Sequence, residues 1–362
     1  MSLKYLAIAG DMGLGNWIML DGVIGPYCRA NDLRLIVFDF DNNTPTQYVN
    51  ELDYVEEIVF LPKMLINVRF IKRLFQFFSI LLYARTIKEK TLVFGRHTLS
   101  PRNLMLALCF GRGQSLLNVL PYDKRLNLYK LLGIKINFYD LEAHEVVNNF
   151  ALLRLLFENQ ELAYHPFFPS DKNFDHRNDE GRPEIIMQPL SSSVQPWKRW
   201  SLLNWKVLIE AMLNDGFCVS VVGSKGEARE IEAITDDIDN NNLRVFSGNL
   251  SFPELGNVVE NAICVVTADG VLGHIASALN TPSLSLIGPG GDGRKPLSKY
   301  SRVAQAKCKC NNSRSIDYCA LKKIEKCGGE CLNQLSVVII KAQIYETIKI
   351  KKEDIHYEQR LL

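Results

Sequence analysis

The sequence predicts an α/β protein made of two doubly wound, Rossmann-like domains facing a cleft. Three observations predict it. Strand-like apolar runs alternate with helical stretches nearly throughout, the pattern of parallel α/β layers. A polar stretch from Pro166 to Pro183, with Ser170-Asp171-Lys172-Asn173 and Arg177-Asn178-Asp179-Glu180-Gly181, breaks the alternation, which then restarts; that composition marks a linker. The chain has 362 residues, 47% of them hydrophobic, enough for two ordinary domains with substantial cores.

Taken in order, the expected strands of the first half are Lys4–Ala9, Leu33–Phe38, Glu57–Phe60, Thr91–Phe94 and Ser115–Val119. Helical spacing covers Leu65–Tyr83, Arg102–Cys109, Lys124–Leu132 and Ala143–Glu161. In the second half, strands are expected at Glu184–Met187, Phe217–Val222, Leu243–Phe246, Cys264–Thr267 and Ser283–Ile287. Helices lie between them at Asn204–Asn214, Glu227–Asp236, Phe252–Asn261 and Val271–Leu279. The expected domains are therefore 1–166, a linker 167–183, 184–345 with a cysteine-rich segment 308–331, and a tail 346–362. Two such sheets leave a cleft lined by the carboxyl ends of their strands, where ligands bind.

The formal net charge is +2, so no global basic field argues for nucleic acid. The opening Met1-Ser2-Leu3-Lys4-Tyr5-Leu6-Ala7-Ile8-Ala9 is too short an apolar run for a secretory signal and reads as a first strand. Phe75 to Ala84, the longest apolar-rich segment, is half of the ~20 residues a membrane span needs. The expectation is a cytoplasmic protein. Val68 to Lys88 mixes aromatics with cations at helical spacing. It reads as a core helix with a solvated basic face or as a segment lying on an anionic membrane surface.

The segment Cys264 to Pro289 carries the most chemistry. It reads as strand, tight turn at Asp269-Gly270, helix and second strand. A helix opening at the carboxyl end of a strand presents free N–H groups and the positive end of its dipole, a ready phosphate site. Gly270 and Gly273 lack a Cβ, which lets a phosphate approach the backbone, and His274 lies one turn in. The same residues also fit a structural turn with Asp269 as N-cap.

Three further loops follow strands. Gly13-Leu14-Gly15-Asn16 opens a helix, but the third glycine of a dinucleotide fingerprint is missing. The loop is either a mobile element with Asp11 or Asn16 reaching substrate, or a plain strand–helix turn. Gln188-Pro189 leads to Trp197-Lys198-Arg199-Trp200; Lys198 as point charge and Arg199 as planar fork suit a diphosphate, or form a solvated basic loop. Glu227, after Gly223-Ser224-Lys225-Gly226, suits ribose hydroxyls or complements a helix dipole.

Of nine cysteines, Cys28, Cys109, Cys218 and Cys264 sit in apolar segments as small hydrophobes. The other five follow Cys308-x-Cys310-x8-Cys319-x7-Cys327-x3-Cys331. Clustered cysteines in a cytosolic chain point to metal rather than disulfides, and four thiolates suit Zn or Fe. Reduced structural thiols are the alternative. Cys308 is the spare.

Together these motifs resemble glycosyltransferase family 9, the inverting lipopolysaccharide heptosyltransferases of two-domain GT-B fold. The resemblance rests on Gln188-Pro189 with Lys198-Arg199-Trp200, Gly223 with Glu227, Ser247-Gly248 with Glu254-Leu255, and Asp269-x4-His274-x-Ala276-x-Ala278-Leu279-x2-Pro282 running on to Gly288-Pro289. In the first half, Gly15-Asn16-x-Ile18-Met19-Leu20 is similar to the family's opening loop, and His144-Glu145 with Asn149-x-Ala151-Leu152-Leu153 to its interdomain helix.

The resemblance implies transfer of a sugar, typically heptose from ADP-heptose, to a hydroxyl of a glycan or lipid-linked acceptor, with inversion. It gives Lys198 and the Gly270-Val271 helix start to the leaving diphosphate, Asp269 to donor-sugar hydroxyls and Glu227 to the ribose. It implies no catalytic metal, and its autotransporter heptosyltransferases resemble this chain's cysteine pattern in binding iron. Two departures stand out. Asn16 replaces the aspartate expected as base, leaving Asp11 or Asp21 to take that role, or a protein that binds donor without turnover. Asp269-Gly270-Val271 replaces Asp-Ser/Thr-Gly, losing one hydroxyl. A third reading keeps the fold but changes the reaction to nucleotide-sugar epimerisation.

Overall fold

The structure, a computed structural model, describes residues 3–10, 12–41, 43–61, 69–87, 90–95, 101–110, 115–119, 123–140, 143–155, 157–158, 160, 163–175, 181–191, 198–288, 292–306 and 330–361. The chain forms two compact units, Met1–Pro166 and Phe167–Leu362.

In the first unit the strands are β1 (Leu3–Ala9), β2 (Arg34–Asp39), β3 (Val55–Phe60), β4 (Lys90–Gly95), β5 (Ser115–Val119) and β6 (Lys135–Phe138). The helices are α1 (Leu14–Ala30), α2 (Thr46–Val49), α3 (Arg69–Thr86), α4 (Pro101–Phe110), α5 (Leu126–Leu131) and α6 (Glu145–Arg154). The sheet order is β3-β2-β1-β4-β5-β6, with every pairing parallel. β2 and β5 are near-continuous buried runs, and β1 is buried at Leu6-Ala7-Ile8, because helices cover both faces. α1 carries Trp17, Ile18, Leu20, Val23 and Ile24 into the core. The Trp17 indole donates to Gly10 O at 3.0 Å, tying the helix to the end of β1.

The second unit holds β7 (Glu184–Gln188), β8 (Cys218–Gly223), β9 (Leu243–Ser247), β10 (Cys264–Ala268), β11 (Ser283–Ile287) and β12 (Ser301–Gln305). Its helices are α7 (Leu202–Asn214), α8 (Ala228–Thr235), α9 (Phe252–Asn261), α10 (Leu272–Ala278) and α11 (Val337–Leu361). The order β12-β11-β10-β7-β8-β9 repeats the first unit's topology strand for strand. Each sheet reverses direction of growth at one point, between β1 and β4 and between β7 and β10. In doubly wound sheets the crevice at that point, beyond the carboxyl ends, takes ligands.

Three features depart from the sequence expectation. The strands β6 and β12, absent from the sequence expectation, are short edge strands in which only Ala304 is buried. The first part of the expected linker is docked on α9. There Phe168 is buried and packs against Phe252, Asn257 donates to Asp171 O at 2.6 Å, and the Ser170 hydroxyl donates to Glu260 at 2.6 Å. Gly256 is what permits this, since a Cβ there would lie 1.8 Å from Pro169 O. The expected tail from 346 is helical. α11 continues through it because Ile340, Ile344 and Ile348, spaced one turn apart, enter the same core as Trp200, Trp205 and Leu332. Asp215 at the end of α7 holds α11 through Lys341 at 2.6 Å and Tyr345 at 2.5 Å.

Candidate active site

The second unit's switch point is built by β7, β10 and the turn into α10. Gln188 ends β7 directly opposite Thr267 of β10 in the sheet register. Its side-chain oxygen lies 3.0 Å from the Thr267 hydroxyl and accepts the Leu272 backbone N–H at 3.1 Å. One free amide at the start of α10 is therefore already capped from a neighbouring strand.

The glycines here serve packing. A Cβ on Gly270 would lie 2.7 Å from the Gln188 side-chain oxygen. One on Gly273 would lie 2.7 Å from both Pro296 Cγ and Ser285 Oγ. The space expected for an approaching phosphate at these two Cβ positions is filled by the protein itself. Val271 forms the helix N-cap in helical conformation, so Asp269 is not the N-cap. His274 is buried in α10 at 8% exposure.

Asp269 instead pairs with Lys198. The Lys198 ammonium stands 3.1 Å from Asp269 Oδ2, with the side chains 17% and 19% exposed. This pair brings two of the expected donor-site residues together from loops 71 positions apart in sequence. Each group of this pair orients the other at the carboxyl ends of β7 and β10.

Arg199 does not join them. Its Nη1 donates to Glu230 at 2.6 Å, and its Nε and Nη2 donate to Ser191 O at 3.3 and 3.0 Å. The fork expected to grip a diphosphate clamps the loop to α8. No sequence signal marks Glu230 as its partner, since the pairing spans 31 residues.

Glu227 lies at the carboxyl end of β8, where its Oε2 accepts the Ser224 N–H at 2.8 Å and the Ser224 hydroxyl at 2.7 Å. This capping box fixes the carboxylate at the rim and leaves its second oxygen outside those bonds. Gly248 follows β9 at φ +75°, and a Cβ there would lie 2.4 Å from Lys225 N. The turns after β8 and β9 thus touch, forming one ledge beside the switch point.

In the first unit, Gly13 is exposed with open space around it, and Gly15 and Asn16 occupy the first turn of α1. Asp11 lies outside the described residues. Asp21 is placed differently from the expectation of a base. It is fully buried and accepts the Tyr54 hydroxyl at 2.7 Å. Burial, with Asp21 nearby, holds the Tyr48 and Tyr54 hydroxyls well above the usual tyrosine range. A carboxylate enclosed in this way ties α1 to the residues before β3 through Tyr54.

Cys28, Cys218 and Cys264 are buried free thiols and Cys109 is partly buried. Burial raises the pKa values of Cys28, Cys109 and Cys264, that of Cys109 to about 11; all four pack as small hydrophobes. Of the clustered five, Cys308, Cys310, Cys319 and Cys327 lie outside the described residues. Cys331 is 7% exposed in the second unit's core beside Leu332. Among the described residues no group of three or more His, Cys, Asp or Glu side chains converges to hold a metal.

Two doubly wound units with this strand order, and a lysine–carboxylate pair at one switch point, define a protein of GT-B fold. Residues 123–324 match the profile of glycosyltransferase family 9 (heptosyltransferase), more than half of the chain. The chain belongs to that family. A lipooligosaccharide heptosyltransferase 2 of Haemophilus influenzae is 34% identical over 112 residues, 30% of this chain and 32% of that protein. The chain spans about a third of the length of the curated relatives it matches. Among solved structures, the Escherichia coli ADP-heptose LPS heptosyltransferase II superposes with a TM-score of 0.68 at 16% identity, covering 96% of this chain and 99% of that one. The dodecameric iron-containing heptosyltransferase TibC, solved with ADP-D-β-D-heptose, gives 0.55 at 12% identity, covering 96% and 78%.

Proposed function

We propose that this protein is an inverting glycosyltransferase that moves a heptose from ADP-heptose to a hydroxyl of a lipopolysaccharide or other surface glycan. The observation that carries this is the Lys198–Asp269 pair at the second unit's switch point, in a chain of glycosyltransferase family 9. The acceptor oxygen attacks the anomeric carbon and the bond to the diphosphate breaks. The acceptor proton passes to a base and ADP leaves.

Lys198 offsets charge developing on the departing diphosphate. Asp269 accepts from donor-sugar hydroxyls, and the second oxygen of Glu227 accepts from the ribose. Asp11 is the base, because Asp21 is enclosed and Asn16 has no useful basicity. The protein works at the cytoplasmic face of the membrane that holds its lipid-linked acceptor. Among the described residues no helix is long and apolar enough to cross a membrane.

Thiolates of the cysteine-rich segment are donors of the kind Fe and Zn take. We assign such a metal a structural role, with no step of the transfer passing through it. Elemental analysis of chelator-free protein tests this, and a folded, metal-free chain sinks it.

A second reading rests on Asn16: the protein binds nucleotide sugar without turning it over. Thermal-shift screening against ADP, UDP, GDP, CDP and their sugars, followed by a product assay, separates the two. Stabilisation by ADP forms with release of ADP from ADP-heptose supports the transferase. Binding without turnover in the presence of glycan acceptors supports the second reading, and no binding at all removes both.

A further inference from the structure

α3 turns an apolar face outward. Leu74, Phe75, Phe78 and Leu82 are 43%, 54%, 52% and 62% exposed. Spaced i, i+1, i+4 and i+8, they share one side of the helix. The opposite side is already engaged. Ile80 is buried, Gln76 is buried and donates to Phe40 O at 3.0 Å, and Tyr83 packs edge-on against Phe38 at 5.5 Å. The expectation of a core helix describes that inner side, and the solvated face carries large apolar side chains besides its cations. Contiguous large apolar side chains facing solvent mark an interaction surface.

α3 itself carries charge of one sign, with Arg69, Lys72, Arg73 and Arg85 and no acidic residue. Glu57 of β3 meets the helix through the Tyr83 hydroxyl, on the inner side. Exposed Arg73 precedes the stripe, and exposed Arg85 lies in line with Leu74, Phe78 and Leu82 at its far end. Lys72 reaches back to Asp41 at 2.7 Å. A two-fold partner helix from a second copy would bring arginine to arginine with no carboxylate on the helix to pair them. An anionic lipid surface satisfies both parts at once, since acyl chains receive the phenyl and isobutyl groups and phosphate headgroups meet the flanking cations.

We infer that the exposed face of α3, Leu74, Phe75, Phe78 and Leu82 with Arg73 and Arg85, docks the protein on an anionic bilayer. The inference extends the membrane-bound acceptor proposed above to a named surface. Its readout needs neither donor nor acceptor, so the two readings fail separately. A chain that floats with vesicles but transfers no sugar loses only the enzymatic reading. One that transfers but never floats loses only this one.

The experiment is co-flotation of the full chain with vesicles of phosphatidylcholine alone or mixed with phosphatidylglycerol. The chain is expected to float with the mixed vesicles and to stay at the bottom with the neutral ones. The F75S/F78S/L82S variant, with circular dichroism unchanged, is expected to lose on the order of tenfold or more of the bound fraction. The R73E/R85E variant changes only exposed side chains and covers the case in which the triple variant fails to fold; it is expected to lose flotation comparably. Leu203→Ser, at an exposed apolar position in the second unit, is expected to float as wild type does. A wild-type chain that ignores mixed vesicles overturns the inference. So does a folded triple variant or charge-reversed variant that floats as wild type does, or a wild-type dimer that the triple variant splits.

Discussion

Lys198 and Asp269 face each other at 3.1 Å although one lies in the loop after β7 and the other at the end of β10. The pair is less than one-fifth exposed, so each charge depends on the other for its orientation. Lys198→Ala is expected to weaken ADP binding about tenfold, or ~1.4 kcal/mol, measured by calorimetry. Asp269→Asn is expected to affect the donor sugar more than ADP, since the ammonium remains. Unchanged ADP affinity in Lys198→Ala would remove that residue from the site.

Gly270 and Gln188 form a second coupled pair. Adding a methyl at 270 places it 2.7 Å from the Gln188 side-chain oxygen that caps Leu272 N. Gly270→Ala is expected to cost about 1–3 kcal/mol of stability, the range for overpacking a filled space. Combined with Gln188→Ala it should cost less than the two single changes summed. Additive melting shifts across the double-mutant cycle would contradict the contact.

Asp21 and Asp11 separate by kind of defect. Removing the Asp21 carboxylate strands the buried Tyr54 hydroxyl, with an expected loss of about 1–3 kcal/mol and an unchanged rate per folded molecule. Asp11→Ala is expected to abolish turnover while ADP affinity stays at the wild-type value. Full rate in Asp11→Ala would end its role as base, and loss of rate without loss of stability in Asp21→Ala would reverse the assignment.

Acid should destabilise the first unit in a defined window. The hydrogen bond from Arg125 holds the Asp123 carboxyl below the usual carboxylate range, and that from Lys72 does the same for Asp41. A carboxyl lowered on folding contributes stability that is present above its unfolded pKa of ~4 and lost as pH falls through the lowered folded value. Melting temperature is expected to drop steeply below about pH 4, and Asp123→Asn to flatten that limb. An equally steep limb in the variant would show that this pair does not set it.

What the sequence determined by itself was the alternation of strands and helices; the strand order, and with it both switch points, belongs to the tertiary structure. Parallel strands covered on both faces carry apolar runs, so Leu6-Ala7-Ile8 of β1, Leu35-Ile36-Val37-Phe38 of β2 and Cys264-Val265-Val266 of β10 announce themselves. The residues clustered after β7, β8 and β10 were legible for the same reason, since loops at carboxyl ends are where such sheets place polar side chains. Edge strands β6 and β12 were not, because they are short and of their residues only Ala304 is buried, although the other two edges, β3 and β9, were read. Tertiary structure alone decided the partners. Arg199 turned to Glu230, Asp21 was sealed under Tyr54, Gly273 was filled by Ser285 and Pro296, and α3 kept Phe75 and Phe78 in solvent. Each outcome depends on groups brought together across many residues of chain, and spacing along a sequence carries no record of which of two possible partners lies nearer in space.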